Sequence, residues 1–429
     1  MNKRFDNIRI PIIIVAFNRP KALERLLNSL LKASYPGEVE LVISVDGGVE
    51  AGGQGGMEEE KRGKGEEVRR VASGFEWPFG EKKLIFHEKN LGLRRHVISC
   101  GELSRDYDGV IVLEDDLYVA PDFYEYTLQA FDFYKDDPII AGISLYSHAY
   151  NETSQFPFRP LADDSDVFFM QYAPSLGQFW TRANWSSFKS WYDGLPEKED
   201  IAGLPPNIIL WPDSSWKKYF IAYIIEKQQY FVYPRYSLTT LFSDEGTHMR
   251  VRENLYQVPL WLGKKSFVFK SFDESKAVYD VYGEMESRRL KQLVPSLQNI
   301  DFEVDLYGIK SKADTNHSLM LSSRKCKNAI RTFGREMKPH EMNILAEVPG
   351  DYFSLGRKED FDEPIYFIRL LKCHEKKELA YWYPIREYHF YKERLLIIDD
   401  TSKFYLKPGF SWKKFRVMLG YSVKYFRKK

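Results

Sequence analysis

Gly109-Val110-Ile111-Val112-Leu113-Glu114-Asp115-Asp116 decides how the rest of this chain is read. Four consecutive aliphatic residues behind a glycine predict a strand buried on both faces, as in a parallel sheet, and ligands of open α/β sheets collect beyond the carboxyl ends of such strands. Three adjacent carboxylates at that end repel one another, and burying them without a counter-charge would raise their proton affinity and cost stability. Water or a divalent cation, Mn²⁺ or Mg²⁺, is therefore expected against Glu114, Asp115 and Asp116. Hard oxygen ligands that leave most of a metal's coordination open suit a diphosphate, whose charge the metal would screen. The plainer alternative is a solvated acidic turn ahead of a helix starting near Pro121, since acidic residues are favoured in a first turn.

Working upstream, Ile10 to Phe17 is a second apolar run and predicts the first strand. Pro20 to Leu31 follows with leucines at helical spacing and a proline suited to the first turn. Glu40 to Asp46 and Lys83 to His87 predict two more strands, and Gly92 to Ser104 a helix. This β-α-β-α-β order predicts a doubly wound α/β sheet. Gly47 to Glu67, with Gly52-Gly53-Gln54-Gly55-Gly56 and mixed charge, reads as a mobile loop, or one that orders over a nucleotide.

Downstream the chain turns aromatic, with Phe168-Phe169, Phe179-Trp180, Trp185, Trp191-Tyr192, Trp211 and Trp216. Such residues stack on sugars, but most are expected to fill a core. Ser215 to Gln228 predicts a helix and Tyr230 to Pro234 a strand. Residues 266–298 read as a linker or helical arm. Short strand-like runs then follow at Phe302 to Tyr307, Met342 to Ala346, Pro364 to Leu371 and Arg394 to Ile398. The expected organisation is an α/β domain over residues 1–265, the linker, and a smaller α+β accessory domain over 299–429.

Length and composition narrow the function. The 429 residues, 44% apolar and 16% aromatic, support more than one domain. Lys and Arg total 62 against 61 acidic residues, so no global field attracts nucleic acid, and no nucleic-acid partner is expected. Cys100, Cys326 and Cys373 stand in no metal spacing and suit a reducing compartment, which predicts a cytoplasmic protein. No run of 18 uncharged apolar residues predicts a membrane span. Residues Phe410 to Lys429 are basic, aromatic and free of acids. They fit an amphipathic segment in peripheral contact with the inner face of the cell membrane, or a terminal helix packed by its aromatic side.

Several residues carry candidate chemistry. A doubly wound sheet brings Asp46, at the end of strand two, to the same edge as Asp116. Followed by Gly47-Gly48, Asp46 suits a base or ribose, or an ordinary Asp-Gly turn. Arg19 follows strand one on that edge, and Arg94 and Arg95 open a helix, where guanidinium groups can bind a diphosphate or simply be solvated. In Trp211-Pro212-Asp213-Ser214-Ser215-Trp216 a carboxylate stands between two indoles, as a general base or a helix N-cap. His248, after Gly246-Thr247, is a further metal or phosphate candidate.

Together these segments resemble the GT-A glycosyltransferases, most closely the N-acetylglucosaminyltransferase I type. Pro11 to Arg19 is similar to that family's first strand with its nucleotide-contacting arginine, and Val42 to Asp46 to the second, whose aspartate holds uracil. Glu114-Asp115-Asp116-Leu117, with Val119 to Phe123 and Glu125-Tyr126 beyond, resembles the metal-site segment in which the last aspartate of the triplet, here Asp116, binds Mn²⁺. Trp211 to Trp216 resembles a Trp-Asp-Asp-Trp segment carrying the catalytic base, which favours Asp213 for that role, although Pro212 replaces an acid and one residue is added. Ser243 to His248 resembles the loop that closes over the donor. The resemblance covers about residues 8 to 262.

It implies inverting transfer from a UDP-sugar, GlcNAc by the family's habit, to a hydroxyl of a glycan or lipid-linked acceptor in polysaccharide synthesis. Uracil would lie near Asp46, the diphosphate near Arg94 or Arg95, and the sugar within reach of Glu114 and Asp115. A nucleotidyltransferase making sugar nucleotides is a rival. Its usual glycine-rich loop after strand one is replaced here by Asn18-Arg19-Pro20-Lys21. A non-catalytic carbohydrate-binding or scaffold protein that keeps the fold is another.

Overall fold

The structure, a computed structural model, describes residues 5, 8–48, 56–154, 156–196, 203–242, 256–364, 397–398 and 404–405. Met1–Phe361 form one compact unit and Asp362–Lys429 a second. In chain order the first unit begins with β1 (Ile12–Ala16), α1 (Pro20–Leu30), β2 (Leu41–Val45), α2 (Gly56–Gly74), β3 (Lys82–Phe86), α3 (Gly92–Glu102), β4 (Gly109–Glu114), β5 (Leu117–Val119), α4 (Phe123–Tyr134) and β6 (Ile140–Ser144). There follow β7 (Tyr150–Asn151), β8 (Phe156–Pro157), β9 (Val167–Met170), β10 (Gln178–Thr181), α5 (Arg182–Asp193), α6 (Pro206–Ile209), α7 (Trp216–Glu226), β11 (Tyr230–Pro234), β12 (Thr239–Leu241) and β13 (Val278–Tyr279). The unit continues with α8 (Ser287–Leu293), β14 (Phe302–Asp305), β15 (Leu319–Ser322), β16 (Ala329–Phe333), α9 (Glu341–Leu345) and β17 (Phe353–Arg357).

The α/β expectation holds. Nine strands form one mixed sheet in the order β13-β9-β11-β6-β10-β4-β1-β2-β3. β1 lies between β2 and β4 and is parallel to both, and β3 extends that parallel set. All five residues of β1 and of β2 are buried, which is why their sequences are unbroken aliphatic runs rather than alternating ones. Leu23, Leu26, Leu27 and Leu30 turn one stripe of α1 into the core, and Pro20 occupies its first turn, where a missing N–H costs nothing. β10 runs antiparallel between β4 and β6. A Cβ on Gly109 would stand 2.5 Å from the Phe179 ring, so glycine at the start of β4 makes room for this aromatic strand.

Most of the aromatics are core, as expected, while Trp191, Tyr192 and Trp211 are half-buried. Trp180 stacks on Phe220 at 5.7 Å, Phe220 on Phe188 at 4.2 Å, and Trp185 and Trp216 are buried beside them. This cluster seats α5 and α7 on the sheet and fixes where α7 begins.

Three readings are corrected. Part of the expected loop 47–67 is helix, since α2 starts at Gly56, anchored by buried Val68 and Ala72 and by Arg69 Nη2, which donates to the His87 carbonyl at 2.6 Å. Leu117–Val119, where the sequence predicts no element, pairs antiparallel with Thr239–Leu241 as a small ribbon. Residues 342–346 lie on α9 and at its end rather than on a strand. Residues 266–298 do not read as a linker, because β13 pairs with β9 at the edge of the large sheet and Phe267, Phe272 and Val278 enter its core. Strands β14, β15, β17 and β16 form a separate four-stranded sheet within the first unit. In the second unit β18 (Ile397–Ile398) pairs with β19 (Phe404–Tyr405), while Pro364 to Leu371 and the basic tail fall wholly or almost wholly outside the described residues. No described helix is long and apolar enough to cross a membrane.

Candidate active site

Parallel pairing fixes the geometry of the site. With Ala16 opposite Val45 and Val15 opposite Glu114, the carboxyl ends of β1, β2 and β4 form one edge. The next amides continue the ladder: Asp46 N–H donates to Ala16 O at 2.9 Å and Asp115 N–H to Val15 O at 3.1 Å. Arg19, Asp46 and the triplet thus leave the sheet side by side, as the fold class predicts.

Arg19 bridges two of the acids. Its Nη1 lies 2.5 Å from Asp116 Oδ2, and its Nη2 pairs with Asp115 Oδ1. Phe17 N–H also donates to Asp115 Oδ2, at 3.3 Å. Burial works against the guanidinium's charge, but Asp115, Asp116 and Glu114 outweigh it and hold Arg19 above its ordinary value. Burial and then the charge of Asp116 push Glu114 up to about 8, opposed by Arg19 and, further down the order, Lys217. Asp115 is pushed up to about 6 by burial, against the pull of Arg19. The neighbourhood is short of positive charge, and Asp116 Oδ1 is buried without a hydrogen-bond partner. An orphaned hard oxygen among under-compensated acids fits a divalent cation. No group of three or more metal-type side chains converges among the described residues, so a cation here would draw its remaining ligands from outside the protein.

Asp46 does more locally than its sequence context implies. Its carboxylate accepts from the N–H groups of Gly47 at 2.8 Å, Leu91 at 2.7 Å and Gly92 at 3.0 Å. It therefore ties the end of β2 to the start of α3, where free N–H groups favour an anion. Gly47 is required for this approach: a Cβ there would stand 2.2 Å from the Lys89 carbonyl carbon.

Beneath this turn Ser44 Oγ contacts His96 Nε2 at 2.7 Å and His87 Nε2 at 3.2 Å. Burial pushes His96 down to about 4, against the attraction of Asp46. Because the folded value lies below the unfolded one, near 6.5, the unfolded chain takes up a proton first as pH falls. The neutral ring's contribution is complete above about pH 6.5 and lost as pH falls through 4, a change on the order of 3 kcal/mol. Denaturant unfolding at pH 7 and pH 5 should show a loss of stability on acidification that is smaller in His96→Asn; equal slopes would remove His96 as its source.

The other expected residues are placed as follows. Arg94 donates through Nη1 to Tyr219 Oη at 2.7 Å and lies over that ring, so it joins α3 to α7; Arg95 is exposed. Asp213 is 86% exposed and 3.6 Å from Lys218 Nζ. The two indoles do not enclose it, since Trp216 turns into the core. Nor is it the helix cap, because Ser215 Oγ accepts from Lys218 N–H at the start of α7. Asp213 and Arg94 meet electrostatically at the Tyr219 hydroxyl. His248 lies outside the described residues.

The structure adds residues that sequence reading missed. Lys217, buried in the first turn of α7, acts on Glu114 through its charge and pairs with Glu152 at 3.3 Å. Its only sequence signal is a lysine beside Trp216 at a position the helix turns inward.

Residues 2–195 match the model of the GNT-I family. Over 204 residues the chain is 26% identical to an alpha-1,3-mannosyl-glycoprotein 2-beta-N-acetylglucosaminyltransferase of Arabidopsis thaliana, covering 48% of this chain and 40% of the plant protein. The chain thus spans about two fifths of that relative's length. Among solved structures, S. aureus TarS 1-349 aligns with TM-score 0.33 and 15% identity over 55% of this chain and 61% of TarS. Its complex with UDP-GlcNAc aligns with TM-score 0.32 and 14% identity over 56% and 60%. The strand edge that gathers Arg19, Asp46 and the Glu114–Asp116 triplet lies inside the matched stretch, and over residues 2–195 the chain is GNT-I-like.

Proposed function

We propose that this chain is a metal-dependent, inverting glycosyltransferase that moves a sugar, GlcNAc in the first instance, from a UDP-sugar to a hydroxyl of a glycan or lipid-linked acceptor. What carries the reading is the convergence of Arg19 and the triplet at one parallel strand edge, with Asp116 Oδ1 left unpartnered. The similarity of residues 2–195 to the GNT-I family and to an N-acetylglucosaminyltransferase supports the chemistry. Asp116 would hold Mn²⁺ or Mg²⁺, which when bound neutralises the diphosphate and stabilises it as a leaving group. Asp46, on the same edge, would hold uracil, and Arg19 would meet the diphosphate once it is drawn from the acids. Arg94, Arg95 and His248 are kept as further donor contacts, and Glu114 and Asp115 as contacts to the sugar.

In the transfer the acceptor oxygen bonds to the anomeric carbon as the bond to the diphosphate oxygen breaks on the opposite face. UDP leaves with that electron pair, and Asp213 takes the acceptor's proton. Solvent exposure leaves Asp213 open to an incoming hydroxyl. A cytoplasmic setting, with the 410–429 tail against a membrane and a polysaccharide as product, completes the proposal.

A melting-temperature titration with UDP, GDP and dTDP, each with and without Mn²⁺, tests it. Ligand at about 100 times its dissociation constant stabilises by roughly 2.7 kcal/mol, a rise of several degrees. The rise is expected with UDP and Mn²⁺ together. Indifference to every nucleotide would sink the transferase reading and favour a non-catalytic role for the fold.

A further inference from the structure

A second polar cluster joins the segment after β6 to the first turn of α7. Lys217 places its ammonium 3.3 Å from Glu152 Oε1, 4.4 Å from the centroid of the Tyr172 ring and 5.2 Å from that of Trp211. Its neighbour Lys218 turns the other way, donating to the carbonyls of Ile209 and Trp211 at 3.2 Å. Next to the pair lies His148, buried against the rings of Tyr146, Tyr172 and Tyr233, its Nε2 closed off from solvent with no hydrogen-bond partner among the described residues.

The charge states are set by this packing. Burial opposes ionisation of Glu152, but the charge of Lys217 and hydrogen bonds from Lys217 and Tyr172 outweigh it and hold the carboxyl below its usual range. Burial, and then the charge of Lys217, keep the His148 ring neutral by pushing it down to about 3. The cluster therefore sets an ionised carboxylate, a three-proton donor and a neutral imidazole side by side, with the Tyr172 and Tyr256 hydroxyls also on the carboxylate.

A buried ion pair is a poor source of stability, because desolvation offsets much of its attraction. The pair is not needed to seat α7 either, since Trp216 and Phe220 already do so through the aromatic core. A ligand rich in hydroxyls would use the same groups well. Each hydroxyl both donates and accepts, so it can bridge carboxylate and ammonium, and the half-buried indole of Trp211 presents an apolar wall of the kind a pyranose ring lies against.

Position selects the ligand. β4 and β6 both run antiparallel to β10, so they point the same way, and the segment after β6 that carries His148 and Glu152 leaves the sheet at the same edge as the triplet after β4. In the donor, the sugar is bonded directly to the diphosphate. We propose that Glu152 and Lys217 are specificity-determining residues for the sugar of the nucleotide donor, binding its hydroxyl or amide groups against Trp211. This rests on the transferase reading above and deepens it.

The test compares calorimetric affinities for UDP with those for UDP-GlcNAc, UDP-GalNAc, UDP-glucose and UDP-galactose, in Mn²⁺, for the full chain and its variants. The parent protein should bind one of these sugar nucleotides more tightly than UDP. In Glu152→Gln and in Lys217→Met that preference should shrink on the order of 10-fold, the scale of a lost hydrogen bond to a charged group, while UDP affinity stays within twofold. The double variant Glu152→Leu/Lys217→Met removes both charges together, so it leaves no unpaired ion if a single variant fails to fold, and it should show the same loss. An unchanged preference in the folded variants overturns the proposal, as does a parallel loss of UDP binding, which would mark a structural role. A parent protein that binds every sugar nucleotide no better than UDP overturns it too. Absence of UDP binding by the parent protein instead overturns the transferase reading itself.

Discussion

Asp116→Asn is expected to abolish Mn²⁺-dependent binding of UDP while leaving the fold intact. With the amide nitrogen at Oδ1, the oxygen the protein leaves without a partner, the amide oxygen still accepts from Arg19 Nη1 as Oδ2 does. A neutral amide is a poor ligand for a hard dication compared with a carboxylate. Removing an outer-sphere partner of a metal ligand costs about 10- to 100-fold in affinity, and removing the ligand itself should exceed that. Stability should change little, because the weakened pairing with Arg19 is offset by relief of repulsion on Glu114 and Asp115. Calorimetry of UDP binding in Mn²⁺ and in EDTA, beside a melting curve, reads both effects. Retained Mn²⁺-dependent affinity in a folded Asp116→Asn protein would move the metal elsewhere.

Asp213→Asn should lower turnover by about 10²- to 10⁴-fold, the usual worth of general-base catalysis, with donor affinity unchanged. The side chain is well suited to a clean substitution. It stands in solvent, its ion pair among the described residues is with Lys218, and Ser215 caps the helix. A surface change of this kind ordinarily shifts stability by no more than about 0.5 kcal/mol. Unchanged kcat with a measured acceptor would exclude Asp213 from proton transfer and leave that role to another group near the edge.

Much of the parallel half of the sheet was legible because burial on both faces writes itself as unbroken aliphatic sequence. Ile12 to Ala16, Leu41 to Val45 and Gly109 to Leu113 announce both their strands and, through the β-α-β order, their common direction. Asp46, Arg19 and Asp116 could be assigned to one edge for the same reason. Helix α2 was hidden because two glycines interrupt a charged run, and its apolar stripe amounts to little more than Val68, Val71 and Ala72. The antiparallel insertion of β10 was hidden because a strand of Gln178-Phe179-Trp180-Thr181 does not declare its neighbours. The Ser44–His96 contact and the Lys217–Glu152 pair join residues 52 and 65 positions apart, and such pairings arise from the packed sheet rather than from any spacing along the chain.

Arg19 already sits where a dication would be needed, so occupancy of this edge is a competition. A metal ion arriving alone must displace a guanidinium held by two carboxylates. A diphosphate offers that guanidinium a better bidentate partner, and drawing it away uncovers Asp116. Nucleotide and metal should then reinforce each other, and by linkage the factor by which UDP tightens Mn²⁺ must equal the factor by which Mn²⁺ tightens UDP. Titrating each in the absence and presence of the other measures that cooperativity; in Arg19→Ala, where the competitor is gone, Mn²⁺ alone should bind more tightly and the mutual gain should shrink.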